Sequence, residues 1–475
     1  MTSKFEALRA ALPGVEMYTP GDAGYEDSLF RWSATCIKPA AVVVRPTTAA
    51  EVSIALVYAA QHKVYPLAVC GGGHSTSGDQ SSDGGMVIDL KRMRSTRVDP
   101  VAQTISFGGG CDWADVNAAL WEHGLATVSG VVGDTGVGGL ILGGGYGYLT
   151  GRRGLALDCL LSCEVVLASG EIVTASKAEN PDLFWALRGA GHNFGIVTSF
   201  TSEAYPQGLC WAGFLAFPPD KLKKVIEFGN DFRSLVKTTD GNSMLSIIIG
   251  NFLPPDSSSG LLAVLFHNGT QEEGERVFQP LLDLEPLGNT TSMLPYTDVN
   301  MMFNKTPPGP KDRHLFGGAS FTLPLDPEKG QEVSELFWET FKSPENIKFR
   351  GSTMTFEYHS TVKIREVGVH ETAFANRGQY SSVCTTMNWT DEEVDLKART
   401  LSRMIAAAVG DKIGWKGDPE KDGTSTYANY FSHKTRAEKI FGPNAPRLRE
   451  LKAKYDPNHV FKKIMDLSPE PSNVQ

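Results

Sequence analysis

Two glycine-rich stretches are the residues whose types and spacing point most directly to chemistry. The first, Gly71-Gly72-Gly73-His74-Ser75, follows an apolar run, and the second extends over 136–147. Because glycine has no Cβ, backbone N–H groups in such stretches can approach a ligand closely and form anion-binding concavities. Two separate loops suit a ligand with a pyrophosphate and an extended ring system. Neither stretch matches the G-x-G-x-x-G fingerprint or the P-loop, so any phosphates would be held differently.

Short alternating elements between Val42 and Ser199 would position these loops. AVVVRP predicts a buried strand that stops at Pro46, and Thr47 or Thr48 can cap the helix that follows, with Glu51 in its first turn. KVYPLAV predicts a second strand that leads into the first glycine stretch, and LLSCEVVLASGEIVTAS predicts a hairpin. The glycine loops are therefore expected at strand ends in a compact sheet domain.

The pattern changes after about Tyr205. Longer apolar alternations follow, among them MLSIIIGNF, LLAVLFHNG and SVCTTMNW, and helices are predicted near 220–232 and 391–409. This combination predicts an antiparallel sheet with helices over one face. Close to the end of the sequence, APRLRELKAKY predicts a helix that Asp456-Pro457 stops.

Composition narrows the class of protein. A chain of 475 residues suggests two or three domains, and 41% hydrophobic residues is a globular composition. A formal net charge of -9 without a Lys/Arg run argues against nucleic-acid or membrane partners. There is no apolar run of ~20 residues and no signal-like N-terminus, which predicts a cytoplasmic location. Seven cysteines without a C-x-x-C predict reduced thiols and no metal site.

Several segments, in order, resemble a known flavoprotein group. RPTTAAEVSIAL, CGGGHSTSG, MVIDL, GVGGLILGGGYGYLTGRRGLALD and NPDLFWALRGAGHNFGIVTSF resemble the PCMH-type FAD-binding domain of the vanillyl-alcohol-oxidase superfamily, and more narrowly the berberine-bridge-enzyme-like proteins. TYANY and FGPNAPRLRELKAKYDPNHVF resemble the C-terminal segment of that group. The resemblance covers most of 36–205 and 425–463, whereas the middle of the chain is similar only in outline.

The resemblance implies that the chain binds FAD and assigns residues to it. The loop that holds the pyrophosphate would contain Gly71, Gly72, Gly73, Ser75 and Gly78. The second FAD loop would contain Gly138, Gly139, Gly143, Gly144, Gly145 and Gly147. Further contacts to the cofactor would come from Gly195, Ile196 and Asn429.

His74 falls where this group bonds an imidazole to the flavin 8α-methyl carbon, so the resemblance implies a covalent link that raises the reduction potential and prevents loss of FAD. The alternative is a histidine that only forms hydrogen bonds in a turn. Many members add a second bond from a cysteine four residues before the first glycine of the second loop. Val132 occupies that position here, so a single link is expected.

The base for substrate oxidation is expected in the Y-x-N-Y pattern of the C-terminal segment. Tyr427 is the first candidate and Tyr430 the second, although a free phenol titrates near ~10 and would need a cation or hydrogen-bond donor nearby. In the middle of the chain, Asn376 stands where relatives have histidine, Arg377 is kept, and Cys384 stands where relatives often have Glu or Gln. A carboxylate base is therefore not expected there.

Together these features predict an α+β fold in two domains. An FAD-binding domain would span 1–205, a substrate domain of antiparallel sheet and helices 206–423, and a C-terminal segment, 424–475, would return to the FAD domain. The leading function is an FAD-dependent oxidase of a small, mostly apolar secondary metabolite, with dioxygen as the second partner. The alternatives are a flavin-dependent dehydrogenase with another acceptor, or a redox-neutral cyclase or binding protein with structural FAD.

Overall fold

The computed structural model describes residues 5–75, 77–238, 240–304, 309–431, 435–462 and 465–467, with the backbone alone given for 233–238. Within these residues the chain combines helices with mainly antiparallel sheets, which confirms the α+β prediction. No helix in the described part is both long enough and apolar enough to cross a bilayer.

The first 206 residues contain two sheets and a short strand pair. Their strands are β1 (Glu16–Tyr18), β2 (Val42–Arg45), β3 (Leu67–Cys70), β4 (Met86–Asp89), β5 (Thr96–Asp99), β6 (Thr104–Gly108), β7 (Leu125–Ala126), β8 (Leu160–Val166), β9 (Ile172–Ser176), β10 (Ile196–Glu203) and β11 (Tyr205–Pro206). Their helices are α1 (Glu6–Ala11), α2 (Tyr25–Ser28), α3 (Ala49–Gln61), α4 (Trp113–Trp121), α5 (Val137–Leu142), α6 (Thr150–Arg153) and α7 (Pro181–Ala190).

The first sheet has the strand order β1-β2-β4-β3, with β4 parallel to both β2 and β3. The predicted helix after β2 is confirmed as α3, where the Thr48 hydroxyl and the Glu51 carboxylate form a reciprocal capping box. The second sheet has the antiparallel order β5-β6-β10-β8-β9, and its β8–β9 pair is the predicted hairpin.

A large antiparallel sheet forms most of the middle of the chain. Its strands are β12 (Cys210–Phe217), β13 (Ser243–Leu253), β14 (Ser258–His267), β15 (Gly288–Asn289), β16 (Ser292–Leu294), β17 (Arg313–Thr322), β18 (Thr353–Tyr358) and β19 (Tyr380–Trp389). They have the order β15-β12-β14-β13-β18-β19-β17, with β16 also paired to β12. The helices here are α8 (Leu222–Thr238), α9 (Gln271–Leu282), α10 (Tyr296–Met301), α11 (Pro327–Lys342), α12 (Val362–Glu366) and α13 (Asp395–Ile413).

The two faces of this sheet differ. Met354, Phe356 and Tyr358 of β18 are buried in one apolar core with side chains of α8, α11 and α13. Because successive side chains of a strand point to opposite faces, Glu357 lies on the other face. The last helices in the described part of the chain are α14 (Pro419–Asp422), α15 (Ala437–Phe441) and α16 (Ala445–Tyr455). The domain boundaries at 205 and 423 remain predictions.

Candidate functional site

The two glycine stretches lie directly against each other. A Cβ on Gly73 would lie 2.0 Å from the backbone nitrogen of Gly136, so no side chain fits at this contact. Gly72 has φ +86°, a conformation that L side chains rarely adopt. These two glycines therefore permit a turn and a backbone approach that other residues would block.

The remainder of the first loop is anchored on the segment before β2. Ser75 Oγ accepts a hydrogen bond from the Trp32 backbone N–H at 3.1 Å. The Gly78 carbonyl oxygen accepts one from Lys38 Nζ at 2.9 Å. The predicted pyrophosphate loop thus has a lysine beside it that the sequence motifs did not identify.

The His74 imidazole is held from three sides. Its Nε2 lies 2.8 Å from Asp134 Oδ1, and its Nδ1 lies 3.3 Å from Thr135 Oγ1. The ring stacks on Trp32 with the centroids 4.3 Å apart. Burial raises the pKa of Asp134, but the hydrogen bond and charge of His74, together with hydrogen bonds from Asn304 and the backbone, lower that pKa overall. The carboxylate therefore stays ionised next to the ring and can orient it.

The second glycine loop is compact on one side and open on the other. Gly144 and Gly145 have φ of +136° and +94°, and a Cβ on Gly147 would lie 1.7 Å from the Ser129 carbonyl oxygen. A Cβ on Gly139, by contrast, would meet nothing within 4 Å. Backbone around Gly139 is thus accessible to a ligand.

Tyr427 and Asn429 lock the C-terminal segment onto this loop. The Tyr427 hydroxyl accepts hydrogen bonds from the Gly145 backbone N–H at 3.2 Å and from Asn429 Nδ2 at 2.9 Å. Asn429 Nδ2 also donates to the Leu140 carbonyl oxygen at 3.1 Å. A Cβ on Gly143 would lie 2.1 Å from Asn429 Oδ1, so this predicted cofactor contact is also a close packing contact.

Gly195 and Ile196 pack within the second sheet. Ile196 is buried and pairs with Val166, while a Cβ on Gly195 would lie 2.6 Å from a methyl group of Val165. This geometry explains why glycine is needed at 195 without any ligand, so the predicted cofactor contacts of these two residues remain predictions.

Glu357 is a buried carboxylate that the sequence motifs missed. Its Oε1 accepts a hydrogen bond from the Tyr430 hydroxyl at 2.7 Å, whereas Oε2 is buried and has no hydrogen-bond partner among the described residues. Burial raises the pKa of Glu357 to about 7, although the Tyr430 hydrogen bond acts in the opposite direction. A carboxylate with this pKa and a free buried oxygen is suited to accept a proton near neutral pH.

Neither phenol shows such a shift towards neutrality. Burial raises the pKa of Tyr427 to about 12, although the hydrogen bonds from Asn429 and Gly145 lower it in part. Burial and the negative charge of Glu357 raise the pKa of Tyr430 well above its ordinary value. The donors that the sequence analysis required for Tyr427 are present, but they do not bring its pKa to neutrality.

Asn376, Arg377 and Cys384, which align with a motif of the relatives, form contacts within the protein. Asn376 Nδ2 donates to the Thr426 carbonyl oxygen at 2.5 Å, and Arg377 donates to both carboxylate oxygens of Asp158 at 2.8 and 2.9 Å. Cys384 pairs in register with Thr355 of β18, so its side chain and that of Glu357 lie on the same face of adjacent strands. A carboxylate therefore lies on the same face as Cys384, although neither Asn376 nor Cys384 is itself a base.

Aromatic rings connect the predicted tether with the carboxylate. Centroid distances are 4.3 Å from His74 to Trp32, 5.7 Å from Trp32 to Phe316, 6.2 Å from Phe316 to Tyr430 and 4.8 Å from Tyr430 to Tyr427. We call these five residues the aromatic row. The row brings the first glycine loop, β17 and the C-terminal segment together at one continuous site.

FAD, which the resemblance implies, fits the residues at this site. The close contact of Gly73 with Gly136 brings the two glycine loops together, and Gly139, where a Cβ would meet nothing within 4 Å, leaves open space beside them. At the sheet, the unpartnered Oε2 of Glu357 is a buried acceptor without a group to satisfy it. Within the described residues no cluster of three His, Cys, Asp or Glu side chains could hold a metal ion.

Besides Lys38, three residues at this site were not identified from sequence. Asp134 could have been noticed from the sequence, because it is a lone acidic residue two positions before Gly136 in a glycine-rich motif. Glu357 is less conspicuous in the sequence, where it is a charged residue between Phe356 and Tyr358. Trp32 lies outside every motif, and only the tertiary structure brings it to His74.

Comparison with known families supports the same assignment. Residues 40–176 match the family described as FAD binding domain, and residues 426–463 match the family described as berberine and berberine like. The FAD-linked oxidoreductase pgmH of Aspergillus terreus is 34% identical over 98% of this chain and 96% of its own length. The FAD-linked oxidoreductase anuG of Penicillium roqueforti is 29% identical over 94% of this chain and 88% of its own.

Solved structures share the fold at lower identity. The 6-hydroxy-D-nicotine oxidase of Arthrobacter nicotinovorans superposes with a TM-score of 0.80 at 23% identity, over 96% of this chain and 98% of that one. The BBE-like 1 protein of Physcomitrella patens gives 0.82 at 20% identity, over 98% and 99% of the two chains. The whole described architecture is thus that of these proteins.

Proposed function

Since this chain belongs to the FAD-linked oxidoreductases of the berberine-bridge-enzyme-like family, we propose that it oxidises a small, mostly apolar metabolite and carries its FAD covalently on His74. The observation that carries the proposal is the buried Glu357–Tyr430 pair, in which Tyr430 belongs to the aromatic row that starts at His74. A proton acceptor and a predicted attachment point for the cofactor thereby lie at one site.

The environment of His74 supports the attachment. Asp134 holds Nε2 and Trp32 stacks on the ring, so the imidazole is oriented before any bond forms. His74→Ala should move the flavin from the acid-precipitated protein to the supernatant. His123→Ala, on an exposed residue just after α4, is the matched control and should leave the flavin with the pellet. Flavin that washes out of the wild-type protein in acid would contradict the covalent link.

Glu357 is proposed as the base. Its free Oε2 would accept the proton that the substrate loses, while Tyr430 holds Oε1 and fixes the direction of the carboxylate. When bound, FAD would accept the hydride from the substrate, and dioxygen would take the two electrons with two protons to give hydrogen peroxide. Tyr427, the first candidate from sequence, would position the second glycine loop through Gly145 instead.

An apolar substrate is supported by the side chains around the carboxylate. The rings of Tyr146, Phe374 and Tyr427 contact one another, with centroids 4.9 to 6.4 Å apart, and Phe316 lies against Tyr430. Such a surface favours aromatic or aliphatic groups over a sugar with many hydroxyls, since each buried hydroxyl would need a partner.

The test is a screen of candidate metabolites for bleaching of the flavin absorbance in the holoenzyme, followed by assays of hydrogen peroxide and of dye reduction. An oxidase releases about one peroxide per substrate oxidised in air. Dye reduction without peroxide would show a dehydrogenase. Product formation with no change in flavin absorbance would overturn the redox function and favour a role for FAD as a structural group.

A further inference from the structure

A cavity lies at the end of β18, next to the face of the sheet that α8 covers. It has a volume of about 110 Å³ and lies between α8, the end of β18 and α12. Phe232 and Leu323 form an apolar part of its wall. An engineered apolar cavity of ~150 Å³ can hold benzene, so this cavity has room for a group of at most about one small ring.

A buried hydroxyl in this wall has no partner. Tyr358 is 2% exposed, and its hydroxyl forms no hydrogen bond among the described residues. Its ring lies against Gly229, which also lines the cavity; a Cβ on that glycine would lie 2.8 Å from the ring. A buried hydroxyl without a partner is unfavourable, and an acceptor on a ligand would satisfy it.

The charge of the cavity favours an anion. Arg365, an exposed residue, lines it, and its guanidinium donates to Gln379 Oε1 at 3.5 Å. No Asp or Glu is among the described lining residues. Burial lowers the pKa of His359 to about 4, so this lining ring is neutral at pH 7 and adds no charge of its own.

The cavity adjoins the proposed reaction site. His359 lines it and stacks on Tyr146 with the ring centroids 4.8 Å apart, and Tyr146 lies 4.9 Å from the ring of Tyr427. Residues two apart on an extended chain are separated by about 7 Å, so Glu357 and His359 are within the length of one small molecule.

From these observations we propose that the cavity binds a small ligand that carries a carboxylate group on an apolar body. Arg365 and the Tyr358 hydroxyl provide the charge and the donor, while Phe232 and Leu323 contact the apolar body.

Benzoate and its neutral counterpart benzyl alcohol are the probes, added to the holoenzyme and measured by saturation-transfer NMR. Benzoate should bind more tightly than benzyl alcohol. Arg365→Ala should weaken benzoate roughly 10-fold and leave benzyl alcohol unchanged, because only the carboxylate uses the guanidinium. Arg403→Ala, an exposed arginine of α13, should change neither.

Two further variants separate binding from folding. Val362 is 49% exposed and lines the cavity, so Val362→Trp should fill its mouth and abolish binding of both probes. Met404→Trp, at an exposed residue of α13, should bind them normally. Tyr358→Phe should weaken benzoate several-fold without loss of thermal stability, since it removes a hydroxyl that has no partner.

The inference would be overturned if the wild type did not bind benzoate. It would also be overturned if Val362→Trp and Arg365→Ala both bound benzoate as tightly as the wild type. Because these measurements need no turnover, they stand apart from the proposed function: benzoate can bind in this pattern even if no metabolite bleaches the flavin.

Discussion

The glycine-loop wall and the sheet wall of the proposed site are built from different parts of the chain. At the loops, backbone packs directly against backbone, as at Gly73 and Gly136, and this contact requires residues without a side chain. At the sheet, one side chain, Glu357, carries the chemistry from the face opposite the apolar core.

This difference decides what sequence can reveal. A backbone site needs glycine at fixed spacing, so it leaves a motif that can be read along the chain. A side-chain site on a strand needs one residue of the right kind on the right face, and its neighbours are set by pairing with distant strands. Replacement of a loop glycine by alanine should therefore disrupt the loop wall. At the sheet wall, removal of a single polar atom should change stability and activity.

The largest effect is expected at the backbone contact. Gly73→Ala would place a Cβ 2.0 Å from the Gly136 nitrogen, so the two loops must separate and the protein should retain almost no FAD. Gly208→Ala is the control, because a Cβ there meets nothing within 4 Å. FAD content is measured by flavin absorbance after purification. Wild-type loading of Gly73→Ala would show that the loops do not act as a cradle.

At the sheet wall, Glu357 should make the stability of the protein depend on pH. Burial raises the Glu357 pKa from 4.5 to about 7 on folding, so the folded state favours the protonated form. The wild type should thus lose stability relative to Glu357→Gln as pH rises from about 4.5 to about 7, by roughly 3 kcal/mol at pH 8. Denaturant unfolding at pH 4 and pH 8 measures this difference. A gap that stays constant with pH would mean that Glu357 has an ordinary pKa.

Smaller effects are expected at the two tyrosines, and Tyr430→Phe and Tyr427→Phe should differ in how they change the pH dependence of flavin reduction. Tyr430→Phe removes the hydrogen bond to Glu357, and that bond lowers the carboxylate pKa, so the acid limb of flavin reduction should move to higher pH and the rate should fall roughly 10-fold. Tyr427→Phe should slow the reaction less and leave the limb in place. Stopped-flow reduction across pH measures both. The reverse order would return the base to Tyr427, as the motif alone indicates.

The smallest effect is expected at Val132. In the wild type, peptide mass mapping should find FAD mass only on the peptide that contains His74. Val132→Cys should add a second link in part of the population if the turn closed by the Thr135 N–H to the Val132 carbonyl oxygen, at 3.3 Å, is kept. Flavin attached to Cys111 or Cys159 in the wild type would show that the loop was aligned incorrectly.

Local rules predicted much of the fold. A helix cap at Thr47 or Thr48 and a hairpin were predicted from residues close in sequence, and the structure shows the cap at Thr48 and the β8–β9 hairpin. The helix predicted over 391–409 begins later, at Asp395, because Asp391 caps a short 3-10 turn first. Its end also lies further on, at Ile413.

The site was predictable only in part. His74 and the glycines are marked by spacing, whereas the Glu357 pair needs Tyr430 from 73 residues away. Trp32 reaches His74 across 42 positions with no motif of its own. Long-range pairing and burial give these residues their roles, and neither is written in the local sequence.

One measurement tests the central claim, that Glu357 is the base. Flavin reduction by an identified substrate is followed by stopped flow without oxygen, from pH 5 to pH 9, in the wild type and in Glu357→Gln with equal FAD content. The wild-type rate should rise with an apparent pKa near 7, and Glu357→Gln should be ~10²–10⁴-fold slower with no such limb. A Glu357→Gln variant that reduces its flavin at the wild-type rate, with the same limb, would contradict the account.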